Sequence, residues 1–197
     1  TKNHRLVVKH GKTLLADVSM DFLHEGLPKV TREATYAPPA VEEPTVIVKP
    51  SYDGDVKALL AMPQIGSKEW VVRQYDHEVQ ASAVVRPFMG VNHGPSDAAV
   101  LAPTLGSKRG IVLANGINPA YGDIDPYQMA FLAVDEALRN AVAVGADPSR
   151  IAILDNFCWP SGGKPETLGS LVRAAEGCYD AAKAYRTPFV SGKDSLN

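Results

Sequence analysis

Apolar positions along this chain change their period several times, and each change marks an expected element. Short alternating runs come first, Leu6-Val7-Val8 and later Thr45-Val46-Ile47-Val48, flanking the stretch Ala37-Pro38-Pro39-Ala40-Val41-Glu42-Glu43-Pro44. Its prolines hold that stretch near polyproline and forbid a regular helix, so it reads as a linker. From residue 51 the pattern tightens. It predicts a helix over 55–61, a helical turn after Ser67 that carries Trp70 and Val71, and a strand over 81–86. Residues 97–102 and 110–114 are apolar, tolerant of extended backbone and bounded by glycine or proline, the pattern of inner strands. Asp125-Pro126 opens the strongest helix, because an aspartate cap satisfies free amides and a proline at the first helical position presets φ. That helix is expected to run to about Gly145, followed by a strand over 150–154, a second long helix over 166–185, and a short strand Pro188-Phe189-Val190 leading into a loop at Ser191-Gly192-Lys193. Strands and helices mixed without strict alternation predict an α/β or α+β fold, with helices packed on a mixed β-sheet.

Composition narrows the functional classes. The 197 residues are 45% hydrophobic and 21% charged, enough to bury a core without disulfides or a structural metal. Twenty basic against 22 acidic side chains give a net charge of -2, so no global field draws in nucleic acid or an anionic membrane; a bound anion needs a local site. Neither a membrane-length apolar run nor a signal-peptide core is present in the sequence. Cys158 and Cys178 lack CxxC spacing and histidine neighbours, which favours a reducing cytoplasm over zinc or a disulfide framework. The histidines at 4, 10, 24, 77 and 93 form no HExxH, and G-x-S-x-G is absent. Both ends read as cuts in a longer protein, since Thr1 is no initiator and 194–197 carry no helix stop or tail.

Several side chains could carry chemistry. On the long helix Phe131, Val134, Leu138 and Val142 form one apolar stripe, while Met129, Ala133, Glu136, Asn140 and Ala143 follow the helical period on another. Glu136 is thus stacked beside Asn140 among small or apolar neighbours, where a carboxylate wants a positive partner. That partner is either an arginine or lysine, or magnesium on nucleotide phosphates; spacing leaves both open. Asp97, in Gly94-Pro95-Ser96-Asp97-Ala98-Ala99, stands where a loop meets an apolar strand and is either a turn former or a further metal ligand. Asp155 ends the run Ile151-Ala152-Ile153-Leu154, and ligands gather outside the carboxyl ends of strands. Ser191-Gly192-Lys193-Asp194-Ser195 lacks the full phosphate-loop pattern, yet its glycine and lysine suit an anion; Ser161-Gly162-Gly163-Lys164-Pro165 precedes a helix N-terminus and is either a second anion loop or a mobile turn. His77, in Arg73-Gln74-Tyr75-Asp76-His77-Glu78-Val79, is either a structural histidine or a base oriented by Asp76 or Glu78.

Read in order, these segments resemble a known family. Arg73-Gln74-Tyr75-Asp76-His77-Glu78-Val79-Gln80, Ser96-Asp97-Ala98-Ala99-Val100-Leu101, Asp125-Pro126-Tyr127, Glu136-Ala137-Leu138-Arg139-Asn140, Val144-Gly145-Ala146-Asp147-Pro148, Leu154-Asp155-Asn156-Phe157, Lys164-Pro165-Glu166 and Ser191-Gly192-Lys193-Asp194-Ser195-Leu196-Asn197 are similar to phosphoribosylformylglycinamidine synthase of the PurL type, over about residues 10–197. The resemblance implies a fold like the N-terminal domain of PurM, the aminoimidazole ribonucleotide (AIR) synthetase. It also implies an ATP-dependent C–N ligase of purine biosynthesis. In that reaction the amide oxygen of formylglycinamide ribonucleotide is activated by phosphoryl transfer and displaced by ammonia from a glutaminase partner. Residues 1–50 would be the end of a first AIR-synthetase-like unit with its linker, and 51–197 the N-terminal domain of a second.

By the same resemblance Ser96, Asp155 and Gly192 would contact ATP and Ser195 the substrate, while Asp97, Glu136 and Asn140 would hold Mg2+. No residue of this chain would be the catalytic histidine, which belongs to the first unit. Two departures stand out: Lys193 replaces an asparagine that serves a metal in small members, and Asn115-Gly116-Ile117-Asn118 stands where many relatives carry an aspartate. A lysine cannot ligate magnesium. The alternatives are a non-catalytic nucleotide-binding scaffold, or another synthetase or kinase of the AIR synthetase superfamily. Isolated, the piece is expected to be inactive and to dimerise through an uncovered sheet edge.

Overall fold

The computed structural model describes residues 3–75 and 78–196. The chain divides into two compact units, Thr1–Glu33 and Ala34–Asn197. In the first, β1 (Arg5–His10) pairs antiparallel with β2 (Thr13–Ser19), and α1 (Met20–Glu25) follows directly. Ser19 caps that helix, its Oγ accepting from the Phe22 amide at 3.1 Å.

In the second unit 34–49 has no regular structure. Its Thr45-Val46-Ile47-Val48 run is not a strand, although its composition suits one; Val46, Ile47 and Val48 are exposed. Then come α2 (Asp53–Ala61), α3 (Glu69–Val72), β3 (Ala83–Val85), β4 (Phe88–Met89), β5 (Gly94–Pro95), β6 (Ala99–Leu101), β7 (Ile111–Leu113), α4 (Pro126–Ala143), β8 (Ile153–Trp159), α5 (Pro165–Tyr185) and β9 (Phe189–Leu196). β3, β6 and β7 form an antiparallel sheet in that order, β4 pairs with β5, and β8 runs parallel to β9. The α+β arrangement with mixed pairing is the one the sequence predicts.

α4 and α5 build the core. Val134 and Leu138 pack with Ala181, and Phe131, Ile151 and Ile153 close around them. The buried stripe of α4 is Pro126, Ala130, Val134, Leu138 and Ala141, so it is rotated from the predicted one, and Val142 is exposed. α5 presents Ala174, Gly177 and Ala181, small residues that let a neighbouring backbone approach closely. On the three-stranded sheet, Val84, Ile111 and Leu113 are each more than half exposed, leaving an apolar surface uncovered.

A polar bracket ties the two helices. The Asp135 carboxylate of α4 accepts from the Tyr185 hydroxyl and from Arg139 Nε, each at 2.6 Å. Those bonds, the tyrosine's first, hold its carboxyl below the ordinary value of 3.8. A depressed native value means the stabilisation is fully present above the unfolded value and is lost as pH falls through the folded one. Asp135→Asn should therefore lower the melting temperature at pH 7, and the gap to wild type should close below about pH 4. A gap that stays constant in thermal unfolding from pH 7 to pH 3 would contradict this.

Candidate functional site

Glu136 and Asn140 lie one turn apart on α4, both half-buried. Their partners come from the segment 115–118, which leaves β7 and folds against the helix. Glu136 Oε2 accepts from the Ile117 amide at 3.0 Å and from Asn118 Nδ2 at 2.7 Å. One turn on, Asn140 Nδ2 donates to the Asn115 carbonyl at 3.0 Å. So close an approach requires Gly116, since a Cβ there would overlap the Ala133 carbonyl and crowd the Ala137 amide. Among the described residues neither an arginine nor a lysine partners Glu136; neutral N–H groups do. Glu136 Oε1 and Asn140 Oδ1 have no protein partner among the described residues. A shallow depression of about 260 Å³ lies here, bounded by Asn118, Tyr121, Leu132, Glu136, Arg139 and Asn140.

Asp97 lies in the bend two residues before β6, exposed and without a side-chain partner among the described residues, next to the buried Ala98. Ser96 beside it is half-buried, and its amide donates to the Pro87 carbonyl at 3.1 Å. In the antiparallel pair Ala99 faces Leu113, so the start of β6 and the end of β7 share one end of the sheet. The topology thus brings Asp97 to the end from which 115–118 departs to clasp α4. Among the described residues no group of three or more His, Cys, Asp or Glu side chains could hold a metal by itself. Two carboxylates and an amide are nonetheless hard oxygen donors of the kind Mg2+ takes from protein when phosphates and water supply the rest.

Asp155 and the 191–195 segment require a correction. The strand does not end at Leu154 but continues to Trp159, and Ser191 to Ser195 are not a loop but part of β9. Parallel register sets Asp155 against Gly192, Phe157 against Asp194 and Cys158 against Ser195. Since paired residues share a face and alternate along the strand, Asp155 and Gly192 lie together on one face, with Ser195 and Lys193 on the other. The Asp155 face is turned to α5, where Trp159 Nε1 donates to Ser170 Oγ at 2.9 Å. A Cβ at Gly192 would overlap the Asp155 carboxylate, so glycine is what admits that side chain. Cys178 of α5 is close by: burial pushes its thiol up to about 11, and the Asp155 charge adds to the rise. On the outer face Lys193 Nζ bonds Ser195 Oγ.

Of the 161–165 segment, 162–163 form a turn and Pro165 opens α5, whose N-cap, Lys164, makes no side-chain cap bond. Asp76 and His77 lie outside the described residues. Asn115 and Asn118 are the polar residues that pattern reading did not assign to the site. Their only signal was negative, a departure from an expected aspartate.

Residues 95–196 match the family described as AIR synthase related protein, N-terminal domain. The phosphoribosylformylglycinamidine synthase subunit PurL of Anaeromyxobacter dehalogenans (strain 2CP-C) is 39% identical over 192 residues, covering 93% of this chain and 24% of that relative. Among solved structures, PurLQS from Thermotoga maritima superposes with a TM-score of 0.63 at 23% identity, over 98% of this chain and 28% of that one. T. maritima PurL complexed with ATP gives a TM-score of 0.60 at 22% identity, with the same coverage. The chain therefore spans about a quarter of the length of the relatives it matches.

Proposed function

Given that this chain belongs to the family of AIR synthase related proteins through their N-terminal domain, we propose that it is part of a phosphoribosylformylglycinamidine synthase, an ATP-dependent ligase of purine biosynthesis. The carrying observation is the similarity to PurL subunits, 39% identical over nearly the whole chain. Residues 51–197 form the N-terminal domain of the second AIR-synthetase-like unit, and 1–50 the end of the first with its linker. Formylglycinamide ribonucleotide is the substrate, ammonia comes from a glutaminase subunit or domain, and the reaction belongs to the cytoplasm. No helix among the described residues is long and apolar enough to cross a membrane.

Within that reading Ser96, Asp155 and Gly192 contact the nucleotide and Ser195 the substrate. Asp97, Glu136 and Asn140 hold Mg2+, which when bound neutralises phosphate charge as the phosphoryl group is transferred. The residues of the chain supply positioning: α4 is capped by Asp125, and the 115–118 clasp holds Glu136 and Asn140 by hydrogen bonds within the chain, which lowers the ordering cost of binding. The uncovered apolar surface at Val84, Ile111 and Leu113 fits a neighbouring AIR-synthetase-like unit, or a second copy of this chain.

The test is to supply the complete protein with formylglycinamide ribonucleotide, ATP, Mg2+ and ammonia. ATP-dependent formation of formylglycinamidine ribonucleotide is expected, and no product under any of these conditions would overturn the reading. Calorimetric titration with ADP tests the site separately: binding should require Mg2+ and be lost in Glu136→Ala.

A further inference from the structure

The way Glu136 is held says more than that it is present. Both donors, the Ile117 amide at 3.0 Å and Asn118 Nδ2 at 2.7 Å, converge on the same oxygen, Oε2. The other oxygen is left without a protein partner among the described residues. The cation nearest along the helix face, Arg139, is committed elsewhere: its Nε bonds Asp135 at 2.6 Å, and Asp135 also takes the Tyr185 hydroxyl. An arginine or lysine on Glu136 would orient the carboxylate and also neutralise it, in direct competition with a metal ion. Amide N–H groups orient it and leave its full negative charge in place. Asn140 is treated alike, since its Nδ2 is spent on the Asn115 carbonyl at 3.0 Å and its oxygen remains the free end.

We infer that Asn118 is the positioning residue of the cation site, fixing one oxygen of Glu136 through a neutral hydrogen bond so that the other stays free, and charged, for a divalent cation. The inference rests on the reading above of Glu136 as a cation ligand. Asn118 also lines the depression beside Glu136 and Asn140, so its side chain lies at the site itself. It touches the ligand-bearing side chain, not the metal, and so is not itself a catalytic residue. Loss of a hydrogen-bond partner that orients a metal ligand costs about 10- to 100-fold in metal affinity.

The test is Mn2+ binding to the complete protein in the presence of ADP, read from the loss of the free-ion electron paramagnetic resonance signal. It is run on wild type, Glu136→Gln, Asn118→Ala, and Asn118→Leu, which keeps the volume and removes the donor. ADP-dependent Mn2+ binding should disappear in Glu136→Gln. It should weaken about 10- to 100-fold in both Asn118 variants with melting temperatures close to wild type, a combination a merely structural asparagine would not give. Binding that survives in Glu136→Gln overturns the assignment of Glu136, and the inference with it. Binding lost in Glu136→Gln but unchanged in folded Asn118 variants overturns the inference alone. Should neither variant fold, the side-chain amide resonances of Asn118 in the wild-type protein decide: they must shift when Mg2+ is added with ADP, and resonances that do not move overturn the inference.

Discussion

Gly116→Ala should lower stability by about 2–3 kcal/mol and unseat the segment 115–118 from α4. In most settings the same change is mildly stabilising, by about 0.4–1 kcal/mol, because alanine restricts the unfolded chain. Gly116 does not occupy the left-handed region, so alanine is no worse there on φ grounds. The steric term decides the sign. The new Cβ would overlap a backbone oxygen of a helix, which cannot swing aside as a side-chain tip can. The segment must therefore lift, and its bonds to Glu136 and Asn140 lengthen together. For a chain of this length the loss corresponds to a melting temperature lower by roughly 4–12 °C. ADP-dependent Mn2+ binding should weaken with it. Thermal unfolding within a degree of wild type would show that the packing seen at Gly116 is not tight in solution.

What the sequence makes legible here is what depends on neighbours in the chain. The start of α4 is readable because an aspartate cap and a proline at the next position act locally, and the Tyr127 amide does donate to Asp125 Oδ1 at 2.9 Å. Long-range pairing is less readable. Ser191 to Ser195 are poor strand formers, yet pairing along β8 keeps them extended, because tertiary context outweighs modest β-propensity. The reverse holds at Thr45-Val46-Ile47-Val48, where good strand formers have no strand to join among the described residues. Asp155 looked like a strand end because it interrupts an apolar run. It is an inward position, tolerated because the residue across the ladder is Gly192. For Glu136 the helix face and its stripe were legible. Its partners were not, since they are a backbone amide 19 residues away and a neutral side chain 18 residues away, and no spacing rule covers such a pair.

Asp125→Ala should produce a second large loss, because one carboxylate serves two roles. It caps α4 through the Tyr127 amide, and it takes Arg173 of α5 in a two-pronged contact, Nε at 3.2 Å and Nη2 at 3.1 Å. The guanidinium also lies over the rings of Tyr127, at 4.9 Å, and Tyr36, at 5.5 Å. Loss of the cap alone costs about 1 kcal/mol, and for this chain length that is about 2–4 °C in melting temperature. The ion pair adds to it, moderately, since the Arg173 side chain is 35% exposed and water screens the charge. The two parts separate by chemistry. Asp125→Asn keeps an oxygen for the Tyr127 amide and gives up the charge, so it should fall between wild type and Asp125→Ala. Salt separates them again: raising ionic strength to about 1 M shortens the screening length to about 3 Å. It should narrow the gap between wild type and Asp125→Asn while leaving the gap between Asp125→Asn and Asp125→Ala unchanged. Equal melting temperatures for the two variants at all salt concentrations would mean that the cap contributes nothing and that α4 is held at this end by Arg173 alone.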